Sequence, residues 1–506
     1  GRYEEQMSEK QEAPRQGYNR LRVALTEAPW TMANGLARLL WGFRTDGVEN
    51  IPSDGPYIVW LTEPGLVGMI TSGYISIKVL KPELEKGTDN VNFFHEELFR
   101  LAYFRNLENT AGKYRPLVPH SAPQLAKGML DGYRVLQNNG IVIHNPQGDA
   151  TWDGRPSAFG RIAAWLALRT AAPLVPILCS IGSYEVWPRW QRLPSRKGQF
   201  KVTVEEPLRL TDKPLDRVTD KDLEEANACI LEHFERSHYG PGGLAGWIGP
   251  VLRDGVEVTE PVQLQPPSTP LAAVPPFKIK VGKLGVAQLL WQCPVCRTND
   301  GVVHRRPFFR HETVSCQACG TLWDFQRESG QDFRMKVLKG PPEVVGLDMS
   351  LSTWYEHMKG NFAPKPVQVN GVELLPGEEV YLEAQDVTLS PYLPNALFEG
   401  WAAREAPTKQ ADRLEVASWE SMGEGRLLVT SHRVLWQGAQ REIDFLWREV
   451  VAVSQYLQST LALHYGSAKY RLRLGNQPVL KWLHHMGELA KETGAREGRT
   501  VNVTSH

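Results

Sequence analysis

Four cysteines in the second half of the chain have the spacing of a metal site. WQCPVCRTND and VSCQACGTLW place Cys293, Cys296, Cys316 and Cys319 in the pattern C-x2-C-x19-C-x2-C. A two-residue gap lets both thiolates of a pair reach one ion, and the longer gap suffices for a β-hairpin that brings the pairs together. Four thiolates close the coordination shell of Zn2+ and leave no position for water. The sequence therefore predicts a zinc ribbon with a structural ion.

The other cysteines and the charge composition narrow the class of protein. The chain has six cysteines, and Cys179 and Cys229 stand alone, which is typical of a metal-binding protein and not of a secreted disulfide framework. His304 and His311 lie between the pairs and are alternative ligands. The stretch RRPFFRH (305–311) is basic and aromatic, but it is more typical of a hairpin face than of a nucleic-acid surface. Lys+Arg and Asp+Glu both number 57, so the net charge of +0 gives no reason to expect a nucleic-acid partner.

The first half of the chain has the pattern of an α/β domain. At 506 residues, about three domains are expected. Residues 46–255 alternate apolar runs with helical patterns. The predicted strands are YIVWL (57–61), IVIH (141–144), LVPILCSI (174–181) and FKVTV (200–204), and the predicted helices cover residues 122–139 and 158–171.

Four blocks of this domain resemble the glycerolipid (lysophospholipid) acyltransferase family. In chain order they are GVENIPSDGPYIVW (47–60), FHEELFRLAYFRNLENTAG (94–112), NNGIVIHNPQGDATWDG (138–154) and APLVPILCSIG (172–182). The resemblance implies an acyltransferase-like α/β fold. It also implies acyl transfer from a thioester to a lipid hydroxyl by a His-x4-Asp motif, in which the histidine is the general base and the aspartate orients its ring.

The residues at the catalytic motif depart from the family. Alignment on the strand YIVWL puts Glu63 at the histidine and Gly68 at the aspartate. A carboxylate acts as a base when burial raises its pKa, but Glu63 lacks an orienting partner. His95 and His144 are the other candidate bases, and each is also compatible with a structural histidine.

The residues that hold a phosphorylated acceptor in the family are altered as well. His120 stands where an arginine is usual. In the third block Gly148 is kept, Gln147 replaces glutamate, and Asp149 places an anion where a phosphate would lie. His120, Gln147 and Gly148 remain the candidate substrate-binding residues.

These changes favour a non-catalytic role over an enzymatic one. The predicted function is a membrane-surface scaffold that binds lipid or acyl chains through an acyltransferase-like domain. One alternative is an atypical acyltransferase that moves an acyl chain from acyl-CoA or acyl carrier protein to a glycerolipid-type acceptor. Another is a zinc-ribbon adaptor that binds a protein partner and has no lipid role. A fold alone does not decide among them.

The segment that precedes the domain is rich in apolar residues. LRVALTEAPWTMANGLARLLWGF (21–43) has few charges, and Pro29 is predicted to break it into two short helices. It is either an interfacial anchor or a helix packed on the domain's own sheet. No run reaches the roughly 18 apolar residues of a spanning helix, and the chain start lacks the apolar core of a signal peptide. We therefore predict a cytoplasmic protein, peripherally associated with membrane.

The rest of the chain divides by composition. After about residue 370, short alternating strands with glycine turns precede a helical pattern at 477–493. GRLLVTSHRVLWQG and IDFLWREVVAVS resemble the GRAM and pleckstrin-homology-like families, with His432, Arg433, Arg441 and Arg448 as a basic face.

The predicted segments are an amphipathic helical segment (1–45), the α/β domain (46–255), a proline-rich linker (256–284), the zinc ribbon (285–335), a connecting segment (336–370), the pleckstrin-like β domain (371–495) and a tail (496–506).

Overall fold

The computed structural model describes most of the chain. The described residues are 20–62, 65, 67, 88–95, 113–117, 122–145, 151–155, 161–195, 198–213, 215–262, 264, 285–307, 311–362, 364–392, 421–456 and 459–505. Element labels below count the elements within these ranges. The described residues form a mixed α/β structure with three sheets.

The first sheet has seven strands in the order β1-β7-β6-β2-β5-β3-β4. The strands are β1 (Arg44–Asp46), β2 (Tyr57–Thr62), β3 (Asn90–His95), β4 (Lys113–Leu117), β5 (Ile141–His144), β6 (Leu174–Cys179) and β7 (Lys201–Val204). From β6 to β4 the strands are parallel, and β7 is antiparallel to β6. Every residue of β2, β5 and β6 is buried, as expected for parallel strands covered on both faces.

Helices cover both faces of the first sheet. They are α1 (Arg20–Trp41), α2 (Ala122–Gln137), α3 (Ile162–Thr170), α4 (Gly182–Val186), α5 (Asp220–Tyr239) and α6 (Gly243–Ile248). Ile58 and Trp60 of β2 join the core beneath α2, α3 and α5. Tyr57 and Val59 face the other way, towards the end of α1. The predicted strands and helices of this region match β2, β5, β6, β7, α2 and α3 to within a few residues.

The segment before the first sheet is one helix, and the predicted break at Pro29 is wrong. α1 runs without interruption through Pro29 to Trp41. Proline removes one backbone hydrogen bond, which does not by itself end a helix whose far end is held by tertiary contacts. Ala37 and Trp41 provide those contacts, because both are buried against the first sheet. None of the helices in the described part of the chain is long and apolar enough to cross a membrane.

The second sheet is antiparallel and has the order β10-β11-β12-β13-β14-β8-β9. Its strands are β8 (Leu252–Arg253), β9 (Val256–Glu257), β10 (Val302–Arg305), β11 (Glu312–Cys316), β12 (Leu322–Gln326), β13 (Arg334–Lys339) and β14 (Leu347–Ser350), followed by α7 (Leu351–Gly360). β8 pairs with β14 although the predicted proline-rich linker separates them in the chain. Alternate residues of β12 are buried, which is the pattern of a strand with one packed face.

The third sheet has the order β18-β17-β16-β15-β21-β20-β19-β22. Its strands are β15 (Val380–Pro391), β16 (Glu424–Thr430), β17 (Arg433–Gly438), β18 (Glu442–Leu446), β19 (Val450–Tyr456), β20 (Thr460–Tyr465), β21 (Ala468–Arg473) and β22 (Asn502–Ser505), with α8 (Val479–Arg496) before the last strand. Neighbouring strands are antiparallel except β22, which runs parallel to β19. α8 packs on β19, β20 and β22.

The three sheets share one continuous apolar core. We call the first sheet with its helices the first unit, and the second sheet with α7 the second unit. Trp152 of the first unit donates a hydrogen bond from Nε1 to Oε1 of Gln455 in the third sheet, at 2.8 Å. Arg327, which follows β12, donates from Nη2 to Oε1 of Gln191 at 2.9 Å. The second sheet therefore contacts the first unit through polar as well as apolar groups.

Candidate functional site

The four cysteine sulfurs converge to a tetrahedral spacing. The Sγ atoms of Cys293, Cys296, Cys316 and Cys319 all lie within 4.8 Å of one another. Cys293 and Cys319 are 3.9 Å apart, and Cys296 and Cys316 are 3.7 Å apart. Four bonds of about 2.3 Å in a tetrahedron separate the sulfurs by about 3.8 Å, whereas a disulfide holds two sulfurs about 2 Å apart. The four cysteines can therefore hold a metal ion, and their spacing is compatible with zinc.

Each pair of cysteines lies in a backbone knuckle. The amide of Arg297 donates to the carbonyl of Cys293, and the amide of Gly320 donates to the carbonyl of Cys316. Arg297 and Gly320 both have positive φ, at 57° and 70°. Gly320 adopts this conformation readily because it has no Cβ, while Arg297 adopts it at the cost of some strain. The two turns direct four thiols towards one point.

The thiols of the cluster have shifted pKa values. Burial raises the pKa of the Cys293 thiol, whereas hydrogen bonds from the thiols of Cys293 and Cys316 lower the pKa of Cys296 to about 7. Thiols of this kind must lose protons when they bind a cation, so affinity for the metal falls as the pH falls.

The predicted alternative ligands are not part of the cluster. Nε2 of His304 lies 3.1 Å from Oε2 of Glu312, and its Nδ1 accepts a hydrogen bond from the amide of Val286. Among the described residues, the four cysteines are the set placed to hold an ion, and His311 does not belong to it. His304 instead links strand β10 to the turn at Gly285–Gln288.

The structure describes only part of the predicted acyl-transfer site. Glu63, His120, Gln147 and Gly148 lie outside the described residues, and so does the side chain of His95, the last residue of β3. His144 ends the neighbouring strand β5, where it is 2% exposed. These candidates therefore remain predictions.

The surroundings of His144 are those of a core residue. Its ring lies edge-on to Phe93 with 6.2 Å between the centroids. Burial lowers the pKa of His144 to about 4, and its Nδ1 has no hydrogen-bond partner. The ring is therefore neutral at physiological pH.

One residue of the predicted basic face has a structural role. Arg433 is 7% exposed, and its Nε lies 3.0 Å from Oε1 of Glu378. Its Nη1 lies 2.7 Å from Oδ2 of Asp444. A guanidinium buried between two carboxylates is not available to a lipid head group, so Arg433 is removed from that prediction. His432, Arg441 and Arg448 are exposed.

Two buried carboxyl groups at the junction of the first and second units escaped the sequence analysis. Glu185 of α4 accepts hydrogen bonds from the amide of Gly330 and from Nε1 of Trp247. Asp332 accepts from the amides of Phe333 and Ser352, at 2.8 Å each. Burial raises the pKa of both carboxyl groups to about 7. No local pattern signals them, because only tertiary packing buries them.

Similarity to known proteins is found among solved structures. No protein-family model matches the chain, and no curated protein matches it either. The chain is similar to a 1-acyl-sn-glycerophosphate (LPA) acyltransferase, PlsC, from Thermotoga maritima, with 18% sequence identity and a TM-score of 0.32. The similarity covers 42% of this chain and 77% of that protein.

Loss of one thiolate should abolish metal binding. We expect wild-type protein to carry about one zinc per chain. The zinc content of Cys316→Ser should be lower than that of wild type by about tenfold or more, because three thiolates do not close the coordination shell. Inductively coupled plasma mass spectrometry of the purified proteins measures this. Cys229→Ser is the control, since Cys229 is exposed and outside the cluster. Equal metal content in Cys316→Ser and wild type would contradict the assignment.

The buried carboxyl groups should make stability depend on pH. Their pKa values of about 7 lie above the ordinary values of 4.5 for Glu185 and 3.8 for Asp332, so the folded protein holds protons that the unfolded chain releases. The contribution of these two groups to the free energy of unfolding is therefore full below about pH 4 and is lost as the pH rises through 7, by about 1.4 kcal/mol per pH unit for each proton that only the folded state holds.

Asp332→Asn tests the contribution of that carboxyl group. The backbone amides of Phe333 and Ser352 bond to different carboxylate oxygens, so the single amide oxygen of asparagine can replace only one acceptor and the variant should be less stable overall. Its side chain no longer titrates, so the pH dependence of stability isolates the carboxyl group. The free energy of unfolding, measured with denaturant from pH 5 to pH 8, should fall less steeply than in wild type. Asp216→Asn, at an exposed position, should reproduce the wild-type slope. An unchanged slope in Asp332→Asn would rule out this carboxyl group as the source.

Proposed function

We propose that this protein is a zinc-stabilised scaffold that binds a membrane surface and its lipid or acyl chains without catalysing acyl transfer. The observation that carries the proposal is the second apolar face of α1. The zinc ion has a structural role, since four thiolates leave it no position for a substrate.

One face of α1 is used by the fold. Ala37 and Trp41 are 0% and 8% exposed. Nε1 of Trp41 donates to the backbone carbonyl of Ser195 at 2.7 Å. Phe43, directly after the helix, stacks on Phe200 with 4.9 Å between the centroids. These contacts fix the end of the helix against the first sheet.

The opposite face of α1 is apolar and exposed. Met32, Leu36, Leu39 and Leu40 are 66%, 49%, 80% and 53% exposed. The spacing i, i+4, i+7, i+8 places them in one stripe. At about 100° per residue, Met32 and Leu39 lie nearly opposite Ala37, and Leu36 and Leu40 lie on one side of the helix between them and Ala37. A helix that served only to cover its own sheet needs one apolar stripe. The second stripe needs an apolar partner outside this chain's described core.

Charge favours a lipid surface as that partner. Between Glu27 and Asp46 the charged residues are Arg38 and Arg44, both basic. An amphipathic helix with apolar side chains on one side and arginines nearby lies in the interface of a membrane with anionic head groups. The exposed His432, Arg441 and Arg448 of the third sheet offer further positive charge.

The residues of the family's catalytic motif support a role without turnover. Glu63 and Gly68 stand at the positions of its histidine and aspartate. A carboxylate without an orienting partner is a poor general base unless burial raises its pKa. His144, the described candidate base, is enclosed in the core of the first sheet and has a pKa of about 4. A proton acceptor of that pKa is mismatched to a reaction at neutral pH.

Removing the exposed stripe should release the protein from membranes. Leu36→Gln combined with Leu39→Gln should weaken binding to vesicles of phosphatidylcholine and phosphatidylserine by about tenfold or more, because each buried leucine contributes about 1.5–3 kcal/mol. Co-sedimentation with the vesicles measures the bound fraction. Leu193→Gln combined with Leu215→Gln changes two exposed leucines elsewhere, at 67% and 40% exposure, and should bind like wild type.

The vesicle experiment also separates the adaptor alternative. If wild-type protein does not bind vesicles of either pure phosphatidylcholine or the anionic mixture, the lipid proposal fails and a zinc-ribbon adaptor for a protein partner is favoured. Binding that is equal in wild type and the Leu36/Leu39 double variant would show that α1 is not the contact.

Acyl transfer should be absent. Purified protein given acyl-CoA and a lysophospholipid should release no free CoA above the buffer background, as measured with a thiol reagent after the zinc-bound protein is removed by filtration. Turnover that disappears in Glu63→Gln would overturn the non-catalytic proposal and support an atypical acyltransferase with a carboxylate base.

A further inference from the structure

The first cysteine knuckle forms the docking surface for the C-terminal helix. Trp291, two residues before Cys293, is 1% exposed. Its ring lies 5.3 Å from that of His485 and 6.0 Å from that of His484 in α8. Phe362, after α7, closes the same cluster at 4.6 Å from His485. Four aromatic rings from three segments therefore meet beside the metal ligands.

A buried ion pair lies next to this aromatic cluster. Nζ of Lys481 in α8 lies 3.0 Å and 2.8 Å from the two carboxylate oxygens of Asp300. The lysine side chain is 4% exposed and the aspartate side chain is 17% exposed. Oε1 of Gln477 accepts a third hydrogen bond from the ammonium group. An ammonium group buried to this degree depends on its partner carboxylate, because breaking such a pair leaves an uncompensated charge.

The position of Asp300 depends on the knuckle. Its amide donates to the carbonyl of Trp291, and the amide of Cys293 donates to the carbonyl of Thr298. Arg297 and Asp300 both have positive φ, at 57° and 59°, which costs free energy in residues with side chains. A strained loop of this kind persists when the surrounding structure holds it. Cys293 and Cys296 are the residues of the loop that a metal would hold.

The following residue connects the loop to the second knuckle. Gly301 has no side chain, and a Cβ there would lie 3.2 Å from Sγ of Cys316. Asp300 thus lies between the loop of the first knuckle and Gly301, which packs against Sγ of Cys316 in the second knuckle. A metal ion bound to all four thiolates would therefore fix the carboxylate that Lys481 requires.

We propose that the metal state of the four-cysteine site controls the docking of α8, and with it the third sheet, on the rest of the protein. With the ion bound, the first knuckle presents Trp291 and Asp300 in the geometry that α8 fits. When the ion is removed, the strained loop relaxes, Asp300 moves from Lys481, and the first turns of α8 open. The regulating ligand is a divalent, thiophilic cation. This inference does not rest on lipid binding.

Hydrogen exchange of the full chain tests the coupling. Removal of zinc with a chelator should raise amide exchange in peptides that cover residues 477–486 by about tenfold or more. Peptides of β16 and β17, which lie on the far side of the third sheet in strand order, should change little. Re-addition of zinc should restore the slow exchange. An equal rise in all peptides, or a rise confined to residues 285–327, would overturn the proposal.

Two variants separate docking from metal binding. Asp300→Asn and Lys481→Met should keep about one zinc per chain and yet show the fast exchange at residues 477–486 that chelation produces in wild type. Lys491→Met is the matched control, since Lys491 is on the same helix in an exposed pair with Glu488. Slow exchange in zinc-loaded Asp300→Asn would overturn the role of the ion pair. Loss of zinc from Lys481→Met would overturn the proposed order of dependence.

Discussion

The apolar face of the second sheet is the constraint on which the rest of the structure depends. A sheet must bury one face against another layer, and here the first unit supplies aromatic residues to do so. Trp190 of the first unit lies 5.3 Å from Phe333 and 6.1 Å from Phe325, and Tyr184 lies 5.6 Å from Phe333. The first unit cannot separate from the second sheet without exposing large aromatic surfaces to water.

Burial of that face forces the polar groups around it into fixed partnerships. The guanidinium of Arg327 lies 4.8 Å from the ring centre of Phe333, and its Nε donates to Oε1 of Glu312 at 2.9 Å. Nη2 of the same group reaches Gln191 across the junction. A charged group in this environment is stabilising only with such partners. The junction therefore combines a large apolar contact with polar contacts that specify one arrangement of the units.

The parts of the structure that follow from local pattern were predictable from sequence. β2, β5 and α2 follow from apolar periodicity, and the convergence of Cys293, Cys296, Cys316 and Cys319 follows from ligand spacing. The α/β character of residues 46–255 follows from the alternation of such elements. Their common property is that neighbours in the chain determine them.

The features that sequence did not reveal are set by residues far apart in the chain. Pro29 lies inside a helix because the end of that helix packs on a sheet. Arg433 is buried because Glu378, more than fifty positions earlier, neutralises it. Glu185 has a pKa of about 7 because tertiary packing buries it. The pairing of β8 with β14 has a related consequence. The second sheet is assembled from chain on both sides of the proline-rich segment, so strand hydrogen bonds hold the two halves together independently of covalent continuity there. The parts of the chain before and after that segment therefore stay in contact through β8 and β14 as well as through the covalent chain.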